Sequence, residues 1–366
     1  MTQNIPWFAP AFGAAEKDAV LAVIDSNFVN EGDVTRTFEA KIADLVGVKH
    51  CVAVTSGTMA ISLALMGLGV GPGDEVIVPD LTFIATANAV RLAGAEVKLV
   101  DVEPRRFTID PEKAAESIGP RTRALVPVDV NGRGADYEAL QTLCAEHGLF
   151  MVCDACEALG SHHKGRPLGS FGDAGCFSFS PNKILTTGQG GMIATNNTDL
   201  YHRLLELKDQ GRRARGTGGN DLHPALGYNF KLTNLQAALG LAQLERLPER
   251  LAQARARDQW YWEGPHNCPG VNVEGLRSAD DGEYRQWADV LVDDRPRLEQ
   301  ALSAAAIGFR PFWYPLHTQG PYRQPSDGFE HAIAVSAQGL WLPSAFDLTR
   351  EQAGRVCDVV AGALRA

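Results

Sequence analysis

The sequence predicts an α/β fold: a mostly parallel sheet flanked by helices, followed by a smaller α+β C-terminal domain. From residue 51 onward, short apolar runs alternate with segments of helical period, as in parallel strands joined by crossover helices. Residues 149–153 are apolar without interruption, as expected for a strand buried on both faces. We predict a large domain at residues 1–240, including two N-terminal helices, and a small domain at 241–366, joined by a long helix.

The elements follow in chain order. Helices are predicted at residues 12–24, 38–46, 59–66, 82–93, from Pro111 and at 136–146, with a polar loop at 27–36. Strands are predicted at residues 51–54, 75–78, 97–100, 124–130, 149–153 and 177–180. The C-terminal part contains a long helical segment at 232–261, a strand at 287–292 and helices at 297–305 and 351–364.

Composition narrows the possible classes of protein. The 366 residues are 45% apolar and 21% charged, which is ordinary for a soluble enzyme. The net charge of −10 argues against nucleic acid or an anionic membrane as the main partner. The N-terminus lacks a signal-peptide pattern, and no apolar run reaches membrane-spanning length. We therefore expect a cytoplasmic protein.

The cysteines do not indicate a disulfide framework. There are seven, an odd number, scattered along the chain. Cys153 and Cys156 spell a C-x-x-C motif, but no second pair accompanies it. We favour small buried apolar residues over a redox or zinc site at these two positions, and expect no metal.

Lys183 is the first candidate for chemistry. Phenylalanine and serine alternate through residues 177–180, and Pro181 then ends the strand because it has no N–H to donate. Lys183 therefore lies on a loop just past a strand end, shortly before a run of glycines. Most lysines are solvated surface charges, but a lysine here can also reach into a cavity.

Asp154 favours a Lys183 that reaches into a cavity over one that is a solvated surface charge. It directly follows the buried strand at 149–153 and lies 29 residues before Lys183. Ligands of open α/β sheets bind at the carboxyl ends of the strands. Pyridoxal phosphate needs an amine for a Schiff base and an acid that keeps the pyridine nitrogen protonated. The alternative is an ordinary buried salt bridge, which is costly to desolvate.

A phosphate site is predicted where residues 51–54 lead into a helix. Ser56, Gly57 and Thr58 occupy the turn, where free N–H groups, two hydroxyls and the positive end of the helix dipole suit a phosphate. A simple helix cap would use the same residues. Neither nucleotide-binding glycine motif, GxxxxGK[ST] or GxGxxG after a strand, is present.

Together these motifs resemble the DegT-type sugar aminotransferases, which are fold type I pyridoxal phosphate enzymes acting on nucleotide-linked keto-sugars. Within that family the GDP-perosamine synthase type is the most similar. The match runs in order along nearly the whole chain. It comprises residues 55–58, 71–79, 82–88, 154–158, 178–191, 227–230 and 310–317.

The resemblance implies cofactor-binding roles. Lys183 would carry the cofactor and then move protons, and Asp154 would pair with the pyridinium nitrogen. Phe83 would stack on the ring, and Glu157 would lie near the ring or the sugar. The phosphate would be held by Ser56, by the Gly57 and Thr58 amides, by Ser178 and, from the neighbouring subunit, by Asn229.

On the substrate side, the resemblance and its departures single out His317, Asn131 and Lys231. His317 would line the sugar pocket. Asn131 lies in Asp-Val-Asn-Gly where relatives usually have His-Leu-Tyr-Gly, and Lys231 replaces a usual arginine. Two further departures are Asp80 in place of a common serine and Gln189 in place of a common glutamate.

The implied function is a homodimeric aminotransferase with shared active sites that moves an amino group, from glutamate, onto a nucleotide-diphosphate keto-sugar. Some relatives carry histidine at the position of Lys183 and catalyse deoxygenation, so lysine favours transamination. Two alternatives stay open: amination of a free ketocyclitol, and a regulatory protein that binds the cofactor without turnover.

Overall fold

The computed structural model describes residues 4–212, 222–265, 268–276 and 282–365. The first part of the chain contains helices α1 (Ala14–Asp25), α2 (Asp33–Val46), α3 (Gly57–Gly67), α4 (Ala85–Leu92), α5 (Pro111–Glu116), α6 (Tyr137–His147) and α7 (Thr198–Lys208). Its strands are β1 (His50–Val54), β2 (Glu75–Pro79), β3 (Glu96–Val100), β4 (Thr122–Leu125), β5 (Phe150–Asp154), β6 (His162–His163), β7 (Arg166–Pro167), β8 (Ala174–Ser178) and β9 (Gly191–Thr195).

Seven of these strands form one sheet in the order β1-β9-β8-β5-β4-β2-β3. Strand β9 is antiparallel to both of its neighbours, whereas the other adjacent pairs are parallel. The predicted mostly parallel sheet is therefore confirmed. The carboxyl ends of β2, β4, β5 and β8 meet at one edge.

Both faces of this sheet are covered, because alternate strand residues point to opposite sides. In β1, Cys51 and Ala53 pack into a core with α2 and α6. Val52 and Val54 pack into a second core with α3, α4 and α7. This burial on both faces explains why the central strands are apolar throughout.

The C-terminal part is built around a four-stranded antiparallel sheet in the order β10-β11-β13-β12. Its strands are β10 (Val271–Asn272), β11 (Asp289–Val292), β12 (Arg310–Pro311) and β13 (Gly339–Trp341). The remaining helices are α8 (Asn234–Glu245), which packs against α1 and α2 of the first part, and α9 (Leu247–Glu263), α10 (Arg295–Ala304), α11 (Glu330–Gln338) and α12 (Arg350–Arg365). Ile5 bridges to Ile307 and is buried in the core of this part, so the N-terminal residues cross the predicted boundary at residue 240.

An aromatic cluster joins the two parts at the carboxyl edge of the large sheet. Val128 and Val130 pack there against Trp287, Phe312 and Trp341 from the C-terminal part. The rings of Trp287 and Trp341 meet edge to face, with centroids 5.1 Å apart. This contact places C-terminal side chains over the edge where ligands of open α/β sheets bind.

Several predicted boundaries were wrong. Helix α2 begins at Asp33, inside the predicted loop 27–36. The strand predicted at 124–130 ends at Leu125, and residues 130–132 form a 3₁₀ turn in which Asn131 has φ +53°. The single helix predicted at 232–261 is divided at Arg246 into α8 and α9, with a proline in the first turn of α9.

Strand β9 and helices α7 and α11 were not predicted. Strand β9 starts at Gly191, in a glycine-rich stretch that indicates a turn more strongly than a strand. The resemblance to fold type I does not depend on these elements. Within the described ranges, no helix combines the length and the apolar character needed to cross a lipid bilayer.

The end of α2 generates a prediction about stability. Gly47 caps α2 with φ +73°, and a Cβ there would meet no atom within 4 Å. Gly47→Ala should therefore lower the free energy of unfolding by about 1 kcal/mol through backbone strain alone. Gly354, inside α12, also has open space but no positive φ, so Gly354→Ala should raise stability by about 0.5–1 kcal/mol. Urea denaturation of both variants measures the two changes in the free energy of unfolding. If both changes had the same sign, backbone strain at Gly47 would not explain its effect.

Candidate active site

Lys183 and Asp154 line the same cavity, of about 330 Å³. Asp154 is the last residue of β5, and β5 pairs in parallel with β8, so that Asp154 lies opposite Cys176. Lys183 follows β8 by five residues, on a loop. The cavity also contains Ser56, Gly57 and Thr58 from the start of α3.

The Asp154 carboxylate is buried and held in a fixed orientation. Its Oδ2 accepts a hydrogen bond from Thr86 Oγ1 at 2.7 Å, and its Oδ1 accepts one from the Cys156 N–H at 3.1 Å. Thr86 is itself 3.1 Å from the hydroxyl of Thr82, one helical turn earlier. Two donors on different oxygens leave the carboxylate little freedom to rotate.

The amine of Lys183 lies between a carboxylate and an aromatic ring. Its Nζ is 3.2 Å from Glu157 Oε1 and 5.0 Å from the ring centre of Trp287. The other carboxylate oxygen, Glu157 Oε2, accepts the backbone N–H of Asn131 at 3.0 Å. The side chains of Lys183 and Glu157 are only 12% and 7% exposed, so water screens the attraction between the two charges less than in a surface ion pair.

The first turn of α3 also lines the cavity. Ser56 is the N-cap of this helix, and its Oγ accepts the Met59 N–H at 3.2 Å. A Cβ on Gly57 would lie 2.7 Å from Cys156 Sγ and 2.8 Å from Ser178 Cβ. Glycine is therefore required for α3 to start so close to β8 and to the end of β5. The predicted turn at Ser56–Thr58 is in fact this helix start.

Phe83 and Ser178 complete the set of predicted residues at the cavity. Phe83 is half exposed, so its ring is free to meet a bound group. Sequence analysis assigned no site role to several other lining residues, namely Thr86, Ser180, Asn182, Gln189, Trp287, Arg310 and Trp313. All of them except Trp287 lie within the segments that carry the family resemblance, and this was the signal that could have found them. Trp287 lies outside those segments and carried no such signal.

Four predicted residues do not line this cavity. Asn131 is fully buried, and Asn229 is exposed. Lys231 Nζ pairs with Asp209 Oδ1 at 2.6 Å. His317 is buried, with its Nδ1 2.6 Å from Asp80 Oδ2 and its ring stacked on Phe329. The cofactor-binding role of Asn229 and the substrate-side roles of the other three residues stay predictions.

Two buried carboxyl groups near the cavity have displaced pKa values. Burial raises the pKa of Asp129 well above its ordinary value, although the Tyr137 hydroxyl donates to its Oδ1 at 2.6 Å. Burial also raises the pKa of Asp80, against the opposing hydrogen bonds from His317. Both groups therefore hold a proton to higher pH than an exposed aspartate does.

The C-x-x-C motif is not a disulfide. Cys153 and Cys156 are both free, and burial raises the pKa of both thiols well above the ordinary value. A thiol that stays protonated is a poor nucleophile and a poor metal ligand.

A larger cleft of about 860 Å³ lies elsewhere, between residues 103–111 and the C-terminal sheet. It contains none of the predicted site residues. Arg106 pairs there with Glu283, and Arg133 pairs with Asp289. The smaller cavity is the better candidate, because its amine, carboxylate and helix start face one space.

The groups around the smaller cavity fit pyridoxal phosphate. The helix start at Gly57, with neighbouring hydroxyls, suits its phosphate; the Asp154 carboxylate suits the pyridine nitrogen; and Lys183 offers the amine. When bound, this cofactor supplies an aldehyde for amines and a ring that withdraws electrons. The fold and the site define a pyridoxal phosphate-dependent aminotransferase.

The chain belongs to the DegT/DnrJ/EryC1/StrS aminotransferase family, whose model matches residues 10–361. It is 39% identical over 356 residues to the GDP-perosamine synthase of Caulobacter vibrioides, with 95% of each chain covered. It is 34% identical over 361 residues to the GDP-perosamine synthase of Escherichia coli O157:H7, with 97% of each covered. The crystal structure of DesV from S. venezuelae superimposes with a TM-score of 0.93 at 34% identity over all of both chains. The predicted fold and family are confirmed.

The orientation of Asp154 generates a prediction. Thr86→Val keeps the shape of the side chain but removes the 2.7 Å bond to Asp154. A hydrogen bond to a charged group contributes about 1.5–3 kcal/mol, so the dissociation constant for pyridoxal phosphate should rise about 10- to 100-fold. Absorbance titration of the cofactor-free protein measures this constant.

Thr82→Val is the matched control for this prediction. Thr82 bonds to Thr86 and not directly to Asp154, so its loss should change the constant by less than about threefold. Equal effects of the two variants would show that the bond to Asp154 has no special role.

Proposed function

We propose that this protein transfers an amino group from glutamate onto a keto-sugar linked to a nucleotide diphosphate. The observation that carries the proposal is the convergence of Lys183, Asp154 and the start of α3 on one cavity. In the complete reaction, glutamate gives up its amino group and becomes 2-oxoglutarate, while the sugar ketone becomes an amine. Lys183 is the residue placed to move the protons that this exchange requires.

The relatives support the nucleotide-sugar part of the proposal. Two relatives that match along almost the whole chain are named GDP-perosamine synthases. The structure of DesI, solved in the presence of its TDP-sugar product, superimposes with a TM-score of 0.91 at 31% identity. GDP-linked keto-sugars are therefore the first substrates to test, followed by TDP-linked ones.

The test combines a lysine variant with a panel of substrates. The wild-type protein with pyridoxal phosphate should lose its visible absorbance when glutamate is added, and should then aminate a nucleotide-linked keto-sugar, detected by mass spectrometry. Lys183→Ala should lose the visible absorbance of the bound cofactor and at least about 10²–10⁴-fold in turnover. Lys183→Arg is the control that keeps the positive charge beside Glu157.

The panel also separates the alternatives. If the protein aminates a free ketocyclitol but none of the nucleotide-linked ketones, its substrate class is the ketocyclitols and the proposed substrate class is wrong. A protein that binds the cofactor but does not respond to glutamate or any other amino donor would fit the regulatory alternative. Visible absorbance that persists in Lys183→Ala would overturn the role proposed for this lysine.

We also propose a homodimer in which Asn229 of one subunit reaches the cofactor phosphate of the other. Asn229 is exposed and lies outside its own chain's cavity. Large apolar side chains are exposed nearby in sequence or at the cavity mouth, including Leu226 at 77% and Phe83 at 50%. Surfaces of this kind are common at protein interfaces.

Mixing two inactive variants tests the shared site. Asn229→Asp would place a carboxylate against the phosphate and should abolish most activity by charge repulsion. If Lys183 and Asn229 serve one site from different subunits, mixed dimers of Lys183→Ala and Asn229→Asp contain one intact site. Random assortment should then restore about a quarter of wild-type activity.

The control for this experiment is the double variant mixed with wild-type protein in the same ratio. If the site is shared, the heterodimers of this mixture have no intact site, so that subunit exchange should lower its activity from half to about a quarter of the wild-type value. A rise to about a quarter in the first mixture, together with this fall in the control, supports the shared site. No restoration, with dimers verified by sedimentation, would place both residues in the same subunit's site.

We propose the cytoplasm as the location. Six cysteines, Cys51, Cys144, Cys153, Cys156, Cys176 and Cys357, are free thiols in the structure, as expected in a reducing compartment.

A further inference from the structure

Asn131 has an unusual backbone conformation in a fully buried position. Its φ of +53° and ψ of +35° lie in the left-handed region, which asparagine tolerates better than most residues. In this conformation its N–H points at Glu157 and donates to Oε2 at 3.0 Å. The opposite oxygen of the same carboxylate contacts Lys183 Nζ.

The side chain of Asn131 makes a reciprocal pair of hydrogen bonds with the backbone of Trp287. Its Oδ1 accepts the Trp287 N–H at 2.8 Å, and its Nδ2 donates to the Trp287 carbonyl at 2.7 Å. The second Nδ2 hydrogen reaches Asp289 Oδ2 at 3.1 Å. Both donors of the amide are therefore in use, which fixes its orientation.

These contacts converge on one amine from two directions. Glu157, held by the backbone of Asn131, lies 3.2 Å from Lys183 Nζ. Trp287, held by the side chain of Asn131, presents its ring 5.0 Å from the same atom. Glu157 belongs to the large sheet's edge, whereas Trp287 lies just before β11 in the C-terminal part.

We propose that Asn131 is a positioning residue for Lys183: it fixes the Glu157 carboxylate with its backbone and the Trp287 ring with its side chain. The inference rests on the proposed role of Lys183 as the cofactor lysine. It differs from the sugar contact expected of Asn131 from sequence, because both donors of the buried amide are already used within the protein.

Two substitutions disturb the Trp287 arm of this arrangement and keep the backbone N–H that binds Glu157. Asn131→Gly tolerates the left-handed conformation and keeps the backbone N–H for Glu157, but it removes the side-chain hydrogen bonds to the backbone of Trp287. Asn131→Asp keeps the acceptor for the Trp287 N–H, but turns an oxygen toward the Trp287 carbonyl and Asp289. In both variants the ring should no longer be held over the amine.

The first measurement needs no cofactor. Cofactor-free protein is treated with an amine-acylating reagent, and the labelling rate of Lys183 is compared by mass spectrometry with that of exposed Lys49 in the same sample. Both Asn131 variants should raise this ratio about three- to tenfold, because a side chain released from packing samples open conformations. In the holoenzyme, kcat should fall about 10- to 100-fold with KM changed less than about threefold, as expected when a reacting group is misplaced.

Ser161→Ala is the matched control. The Ser161 hydroxyl donates to the Gly132 carbonyl at 2.8 Å and accepts the Tyr284 N–H at 3.1 Å. It therefore joins the same two segments as Asn131, but away from Glu157 and Trp287. Ser161→Ala should lose stability comparably while leaving the labelling ratio and kcat within about twofold of wild type.

The proposal is overturned if the Asn131 variants match Ser161→Ala in both labelling ratio and kcat, or if only KM changes. If Asn131→Asp does not fold, Asn131→Gly decides the question. If neither folds, Trp287→Leu keeps the backbone partners but removes the ring, and an unchanged labelling ratio then contradicts the proposal. Failure of the proposed function is a separate result: wild-type protein would show no cofactor-dependent turnover, while the labelling ratio still tests Asn131.

Discussion

The parallel pairing of β5 with β8 is the constraint on which the site depends. Strands that run in the same direction end at the same edge, so Asp154 at the end of β5 and the loop carrying Lys183 after β8 are neighbours. Strand β1 runs in the same direction as β8, because β9 lies between them and is antiparallel to both. Helix α3 therefore also starts at this edge. The topology of the sheet alone brings an amine, a carboxylate and a helix N-terminus to the same edge.

The C-terminal part completes this edge with aromatic and buried polar contacts. The aromatic cluster around Trp287 and Trp341 covers the carboxyl ends of the strands. Beside it, the Arg133–Asp289 pair is only 2% exposed on each side. Removing one partner of such a pair typically costs about 3–5 kcal/mol, because the other charge is left buried and unpaired. The surroundings of Lys183 therefore depend on residues far from it in sequence, and their geometry is fixed by packing as much as by the loop itself.

Sequence alone could predict what local patterns determine. The buried strand before Asp154, the loop position of Lys183 and the capped start of α3 follow from periodicity and from proline and glycine positions. What sequence missed depends on tertiary contacts: Trp287 reaches the cavity from the C-terminal part, and the run predicted as a strand at 124–130 leaves the sheet after Leu125 and ends in the left-handed turn at Asn131. Strand β9 was not predicted because it begins with a glycine, and because its burial depends on contacts with elements that are distant in sequence.

Four of the departures from the family pattern have partners inside the protein and lie outside the cavity. Asp80 pairs with His317, Asp129 with Tyr137, and Lys231 with Asp209, while Asn131 binds the backbone of Trp287. Each of these four polar side chains has at least one hydrogen-bonding partner inside the protein, although the buried Asp129 Oδ2 has none among the described residues. None of the four lines the cavity, so an effect of these residues on a bound substrate would be indirect. Gln189 differs from them, because it lines the cavity together with Ser180, Asn182 and Arg310 and would meet a bound group directly.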